Sequence, residues 1–190
     1  PGLAAAAVIA VTSALPAFST EGPALGQVME GLHFSSPILG RDVNYAVYLP
    51  PDYALSTRRY PVAYLLHGYT DNESGWIQFG EVNMAVDRAI AEREAPPMII
   101  VMPDGGVAWY INDYQNKIRF EDMFFQEFIP YIYATYRTRP EREFRGMAGL
   151  SMGGGQTIAI GFKQYALLTV PLLIGGLYLN QELKRVPAFL

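Results

Sequence analysis

Apolar residues recur at every second position between Val43 and Leu49, just before two consecutive prolines. A period of two is typical of a strand, and we expect this strand to be antiparallel to its neighbour. Two later segments, residues 61–66 (PVAYLL) and 98–102 (MIIVM), are apolar throughout. Short continuous apolar runs are typical of strands that are covered on both faces. These two runs therefore predict strands of a parallel sheet.

Helical patterns lie between and after these strands. Residues 81–94 place apolar side chains at helical spacing, and a second such pattern covers residues 121–136. A short strand pattern follows at residues 144–148. The order strand, helix, strand, helix, strand predicts an α/β fold with a mostly parallel, doubly wound sheet and helices on both faces. No repeat or linker divides the chain, so we expect residues 21–190 to form a single domain.

The amino end differs in composition from the rest of the chain. Residues 3–17 (LAAAAVIAVTSALPA) are apolar and alanine-rich, and small and polar residues follow them. This pattern resembles the hydrophobic region of a signal peptide, with an ordinary buried helix as the alternative. We therefore expect residues 1–20 to be the remnant of an export signal and the protein to be secreted or periplasmic. A second apolar stretch, residues 166–179, is interrupted by proline and glycine, so no integral membrane segment is predicted.

Charge and composition argue against several kinds of partner. The 190-residue chain has a net charge of −4 and no basic stripe that could neutralise a phosphate backbone, so no nucleic acid is expected to bind. It has no cysteine, which excludes disulfides, thiolate nucleophiles and sulfur-ligated zinc. The acidic loop at residues 71–73 (DNE) is expected to be solvated rather than a metal site, and Gly105-Gly106 lacks the lysine of a phosphate-binding loop. No metal and no cofactor are predicted.

The motif with the clearest chemical content is Gly149-Leu150-Ser151-Met152-Gly153, which follows a strand pattern and precedes a segment that can form a helix. A serine on such a sharp turn needs flanking glycines, because a Cβ on either side would collide with neighbouring chain. The turn lifts the hydroxyl to the carboxyl edge of the sheet and points the N–H of Met152 at the oxygen of an attacked carbonyl. The alternative is a glycine-rich turn with an incidental serine, but the position after a strand favours a nucleophile.

A second turn follows the strand predicted at residues 61–66 and contains His67-Gly68-Tyr69. Loops at this edge of a sheet form the rim of an active site, and the N–H of Tyr69 can supply another oxyanion donor. We expect His67 to be a buried structural histidine rather than a proton-transfer residue. The chain's other histidine, His33, is expected to be a surface or packing residue.

Three segments, LLHGYTDNESGW, IIVMPDGGVAWY and RPEREFRGMAGLSMGGGQT, together resemble one family, and the likeness spans roughly residues 28–163. They look like the esterase D group of α/β-hydrolases, which includes feruloyl and acetylxylan esterases, S-formylglutathione hydrolases and mycolyltransferases. The resemblance implies an α/β-hydrolase sheet with Ser151 as the nucleophile. It also implies backbone oxyanion donors at Tyr69 and Met152, and it places Trp76 and Trp109 near the acyl or sugar pocket.

The segment FSSPILGRDVNYAVYLPPDY is similar to the opening strands of the feruloyl-esterase branch. This likeness implies a serine carboxylic-ester hydrolase that works through an acyl-enzyme. Its substrates would be carbohydrate-linked esters or small aromatic or acetyl esters. Four residues are assigned structural roles near the site: His67, Gly68, Gly149 and Gly153.

The chain departs from this family after the nucleophile. Family members place an acid and then a histidine after the serine, whereas residues 152–190 contain no aspartate or histidine and only Glu182 as an acid. We therefore expect a truncation after the nucleophile helix, a sheet without its last strands, and little activity, because a serine without a base is a poor nucleophile. The exposed sheet edge would favour a homodimer. The alternative function is a non-catalytic relative that binds an ester or carbohydrate ligand.

Overall fold

A computed structural model describes residues 24–163 and 170–174 of the chain. These residues form one six-stranded sheet with the strand order β1-β2-β4-β3-β5-β6. The strands are β1 (Gln27–Ser36), β2 (Arg41–Leu49), β3 (Val62–Leu66), β4 (Ile99–Pro103), β5 (Arg145–Leu150) and β6 (Val170–Ile174). The helices are α1 (Gly75–Gln78), α2 (Val82–Ala91), α3 (Phe120–Met123), α4 (Ile129–Thr135) and α5 (Met152–Lys163), and a π-helical turn at Phe124–Phe128 joins α3 to α4.

The strands at one side of the sheet are antiparallel and the rest are parallel. Strand β2 pairs antiparallel with both β1 and β4, which confirms the antiparallel pairing predicted for this strand. Strands β4, β3, β5 and β6 run parallel to one another. This arrangement confirms the predicted mostly parallel sheet. It also brings the carboxyl ends of β3 and β5 side by side, because Leu66 is paired with Gly149.

Helices cover both faces of the sheet, as predicted. On one face, α3, the π-helical turn, α4 and α5 contribute buried side chains to a cluster that includes Tyr45 and Val47 of β2. On the other face, α1 and α2 contribute to a second cluster that includes Ala46 and Tyr48. Because successive strand residues point to opposite faces, β2 supplies both clusters and is buried on both sides. The sheet is thus the middle layer of the α/β fold.

The helix predicted at residues 121–136 is interrupted, since the π-helical turn at Phe124–Phe128 replaces its central α-helical hydrogen bonds. Helix α2 is shorter than the predicted 81–94 segment and begins after Glu81, whose φ of 47° is left-handed. The short helix α1 was not predicted. Among the residues that the structure describes, no helix has the length and apolarity that crossing a bilayer requires.

Some predictions fall on residues that the structure does not describe. The proposed export signal at residues 1–20 lies entirely outside the described part of the chain. Of the tail at residues 166–190, the description covers only Val170–Ile174, whose backbone forms β6. The single-domain boundaries and the homodimer also stay predictions.

Candidate active site

Ser151 occupies a strained turn between β5 and α5. Its φ is 50°, in the left-handed region that residues with a Cβ rarely adopt, and its side chain is exposed. A non-glycine residue held in such a conformation costs on the order of 1–3 kcal/mol, and strain of this kind is concentrated at active sites. The structure therefore presents the serine hydroxyl at the carboxyl edge of the sheet.

The two glycines of the motif allow this turn because backbone passes close to each of them. A Cβ on Gly149 would collide with the backbone of Gly153. A Cβ on Gly153 would lie 2.6 Å from the carbonyl oxygen of His67 and closer still to that of Leu66. The N–H of Gly153 uses this proximity and donates a hydrogen bond of 3.2 Å to the carbonyl oxygen of His67. The first turn of α5 is thereby attached to the loop that follows β3.

The loop after β3 runs beside the serine. A Cβ built on Gly68 would lie 3.6 Å from the Cβ of Ser151, an ordinary van der Waals separation. The next residue, Tyr69, is therefore adjacent to the serine turn. Met152 is the first residue of α5, and the first N–H groups of a helix have no acceptor within that helix. The candidate oxyanion donors, the N–H groups of Tyr69 and Met152, belong to these two neighbouring loops.

His67 is buried, with 1% of its surface exposed, and both of its ring nitrogens are engaged. The N–H of Gly105 lies 3.0 Å from Nε2 and can only donate a hydrogen bond to it. Nδ1 in turn lies 2.8 Å from the carbonyl oxygen of Gly68, which can only accept. Neither nitrogen is therefore free to take a proton from Ser151.

Tyr110 and Asp104, to which the sequence analysis gave no role, surround His67. The Tyr110 hydroxyl accepts a hydrogen bond of 2.8 Å from the backbone N–H of His67, and its ring contacts the imidazole edge-on. One carboxylate oxygen of Asp104 lies 3.2 Å from Nε2 and accepts a 2.7 Å hydrogen bond from the N–H of Gly106. Desolvation raises the pKa of Asp104, but the contact with His67, the Gly106 N–H and the charge of Arg41 outweigh it and lower the pKa below its ordinary value.

Two exposed aromatic rings lie on these loops. Tyr69 is 56% exposed and Trp109 is 49% exposed, and their ring centroids are 6.4 Å apart. Trp109 and Tyr110 both have left-handed backbone, with φ of 58° and 55°. Because Tyr110 is held inside the protein, this conformation turns the preceding Trp109 outward. The pair of rings thus lies on the two loops that follow β3 and β4.

The structure places the other predicted pocket residue, Trp76, in the core. Only 4% of its surface is exposed, and it belongs to the cluster formed by α1, α2 and the sheet. Helix α1 begins one residue before it and turns the indole towards β2 and β4 rather than towards the loops. Its ring is too little exposed to contact a ligand directly, and the proposed function below assigns Trp76 no such contact.

Among the residues that the structure describes, no side chain is placed to accept the proton of Ser151. No described residue accepts a hydrogen bond from its hydroxyl. His33 lies on β1, which is separated from β5 by β2, β4 and β3. The chain has two histidines in all, and neither is placed to act on the serine.

Comparisons with known proteins identify related sequences and structures. Residues 36–167 match the Esterase family profile, described as "Putative esterase". An "Endo-1,4-beta-xylanase/feruloyl esterase" of Xylanibacter ruminicola is 34% identical over 163 residues, which are 80% of this chain and 22% of that protein. "Esterase Rv1288" of Mycobacterium tuberculosis is 36% identical over 137 residues, which are 70% of this chain and 28% of that protein.

Solved structures with the same fold include a ferulic acid esterase with a TM-score of 0.72 and 33% identity, over 76% of this chain and 57% of that one. An S-formylglutathione hydrolase of Staphylococcus aureus has a TM-score of 0.60 at 23% identity, over 78% of this chain and 57% of that one, and shows the fold alone. The chain therefore spans less than two thirds of the length of each of these relatives.

Proposed function

Because the chain belongs to the esterase family of α/β-hydrolases, as its match over residues 36–167 shows, we propose that it carries the nucleophile and oxyanion hole of a serine carboxylic-ester hydrolase. The observation that supports this most strongly is Ser151, exposed on a left-handed turn and adjacent to Gly68. An ordinary surface serine has no need of such strain. Exposure, strain and the neighbouring N–H groups together fit a nucleophile elbow.

The proposed reaction has two steps. The Oγ of Ser151 attacks the ester carbonyl carbon, and the carbonyl oxygen becomes an oxyanion that accepts hydrogen bonds from the N–H groups of Tyr69 and Met152. The carbon–oxygen bond to the alcohol then breaks, which leaves the acyl group on Ser151. Water attacks this acyl-enzyme in the second step and releases the acid. The positive end of the α5 dipole lies at Met152 and favours the oxyanion.

Attack by Ser151 also requires an acceptor for the hydroxyl proton. His67 has both nitrogens engaged, and no aspartate or histidine follows Ser151 in the sequence. Loss of the histidine costs a serine hydrolase on the order of a millionfold in turnover, and the oxyanion hole and binding alone retain about 10³–10⁴ over water. From a typical kcat of about 10 s⁻¹, the 190-residue chain by itself is expected to turn over at about 10⁻⁵ s⁻¹.

The substrates we propose are carbohydrate-linked esters or small aromatic or acetyl esters. The exposed rings of Tyr69 and Trp109 lie on the loops that follow β3 and β4 and offer flat apolar faces to an aromatic acyl group or a sugar. The relative from Xylanibacter ruminicola is named as both a xylanase and a feruloyl esterase, which supports this class. An exported location, proposed from residues 3–17, would give the protein access to polysaccharide esters outside the cell.

A second candidate function is ligand binding without turnover. It is favoured by one observation, that none of the described residues is placed to accept the proton of Ser151. Such a protein would keep the pocket and the aromatic pair and would bind an ester without cleaving it. The two candidates differ in whether Ser151 ever becomes acylated.

The test is hydrolysis of p-nitrophenyl acetate and methyl ferulate by the full chain, with and without added imidazole as a diffusible proton acceptor. We expect a rate barely above background that rises with imidazole and is abolished by Ser151→Ala. The matched control is Ser35→Ala, which removes an exposed serine on β1. It should behave like the unchanged chain.

Three outcomes separate the candidates. Fast turnover without imidazole that depends on Ser151 would mean that an unrecognised proton acceptor is present. No Ser151-dependent rate at any imidazole concentration, with methyl ferulate bound in a titration, would favour the binding protein. If the chain neither hydrolyses nor binds the esters, both candidates are excluded.

A further inference from the structure

We propose that His67 is a positioning residue that sets the direction of the Tyr69 N–H and links the two loops of the oxyanion hole. This inference rests on the proposed function, because it concerns the donors of that site. His67 itself does not contact the substrate in this account. Four polar groups of this one residue, two in the backbone and two in the ring, all have hydrogen-bond partners, which lie on its own loop, on the loop after β4 and in the first turn of α5.

The side chain acts on the peptide between Gly68 and Tyr69. The Nδ1–H of His67 donates a hydrogen bond of 2.8 Å to the Gly68 carbonyl oxygen. This bond holds the carbonyl oxygen towards the buried ring. In a planar trans peptide the C=O and the following N–H point in opposite directions. The Tyr69 N–H is therefore directed away from the interior. That is the direction an oxyanion donor beside Ser151 requires.

The second ring nitrogen, Nε2, has two neighbours of opposite character. The Gly105 N–H lies 3.0 Å away and can only donate, and a carboxylate oxygen of Asp104 lies 3.2 Å away and can only accept. A ring protonated on Nε2 alone would set the lone pair of Nδ1 against the Gly68 carbonyl oxygen, 2.8 Å away. Buried polar groups without partners are costly, so Nδ1 carries a proton.

The backbone of His67 is hydrogen-bonded to the remaining parts of the site. Its N–H donates a hydrogen bond of 2.8 Å to the Tyr110 hydroxyl, which belongs to the loop that carries Trp109. Its carbonyl oxygen accepts from the Gly153 N–H at 3.2 Å, in the first turn of the helix that begins with Met152. Both proposed oxyanion donors thus lie on segments that are hydrogen-bonded to His67. A displaced donor costs catalysis heavily, since removing one typically costs about 10²–10³ in kcat.

The first test needs no substitution at the site. The chain contains two histidines, so labelling with ¹⁵N-histidine gives two imidazole spectra, and the control variant His33→Asn identifies the exposed one. We expect the remaining imidazole to carry a proton on Nδ1. An unprotonated Nδ1, or rapid averaging of the two nitrogens, would overturn the proposal.

The second test compares two replacements of the same residue. His67→Asn keeps a donor near the Nδ1 position, whereas His67→Gln keeps an acceptor near Nε2 and loses that donor. The Tyr69 amide ¹⁵N resonance reports the bond on the Gly68 carbonyl, because both atoms share one conjugated peptide. We expect this resonance to stay near its original position in the Asn variant and to move in the Gln variant. Equal shifts in both variants would contradict the proposal.

The functional consequence is measured as the rate of Ser151 modification by a fluorophosphonate in the presence of imidazole. We expect His67→Asn to react within about threefold of the unchanged chain and His67→Gln to react about 10–100-fold more slowly, a part of the loss caused by removing a donor outright. Equal rates would overturn the positioning role. If the unchanged chain is not modified at Ser151 at all, the proposed function fails, and the two NMR measurements still decide the role of His67.

Discussion

Replacing Gly153 by alanine should disrupt the junction between the serine turn and the loop after β3. The new Cβ would lie 2.6 Å from the His67 carbonyl oxygen and closer to that of Leu66, whereas Cβ contacts below 3.0 Å essentially never occur in proteins. Both obstacles are backbone atoms in a sheet strand and the turn after it, so neither can move without shifting β3. We therefore expect α5 to move away from the loop after β3 and the Gly153 hydrogen bond to His67 to break.

The expected size follows from opposing contributions. Overpacking of this kind costs about 1–3 kcal/mol, and rigid backbone obstacles place this site at the upper end. Alanine recovers about 0.5–1 kcal/mol over glycine within a helix. The net loss is therefore about 2 kcal/mol, which corresponds to a fall in Tm of about 4–8 °C for a domain of this size.

Gly155 provides the matched control, because it lies two residues along the same helix and a Cβ there meets nothing within 4 Å. Gly155→Ala should raise the free energy of unfolding by about 0.5–1 kcal/mol. Urea denaturation of the three proteins measures both changes. If Gly153→Ala were as stable as Gly155→Ala, the close approach of α5 to the loop after β3 would be wrong.

Three further predictions follow from single side chains. Asp104→Asn should destabilise the protein more at pH 7 than at pH 3. A carboxyl whose folded pKa is lowered stabilises the protein above its ordinary pKa of about 3.9, and this effect is lost as the pH falls through the folded value. Urea midpoints at both pH values measure this, and an equal loss of stability at both would refute it. Tyr48→Phe should cost about 1–3 kcal/mol, because it removes a buried 2.7 Å hydrogen bond to Asp87; a neutral effect in thermal unfolding would contradict the bond. Trp109→Ala should weaken methyl ferulate binding more than it changes Tm, as its ring is half exposed; unchanged affinity in a titration would exclude the ring from the binding site.

Much of the fold could be predicted because its signals are local. The apolar run at residues 61–66 and the motif around Ser151 each specify a strand end from a few neighbouring residues, and β3 and β5 follow closely. The π-helical turn at Phe124–Phe128 was missed because its apolar residues also fit a continuous α-helix. Periodicity does not distinguish the two, since both bury the same aromatic side chains on one face.

The site residues that were missed depend on contacts between distant segments. Tyr110 reaches His67 across 43 positions in sequence, and its left-handed backbone is unfavourable for a tyrosine by itself. The conformation is imposed by tertiary contacts, among them the ring beside Gly105, where a Cβ would collide with Tyr110. Trp76 was placed near the pocket by the family resemblance, but it lies on α1 with its side chain in the core. Neither outcome is encoded in a short motif.

The proposed nucleophile and oxyanion hole are tested most directly by a crystal structure of the chain after its serine has reacted with a p-nitrophenyl phosphonate. We expect a phosphorus atom bonded to the Oγ of Ser151, with the phosphoryl oxygen within hydrogen-bonding distance of the N–H groups of both Tyr69 and Met152. A phosphonate on another residue, or a phosphoryl oxygen directed away from both N–H groups, would contradict it.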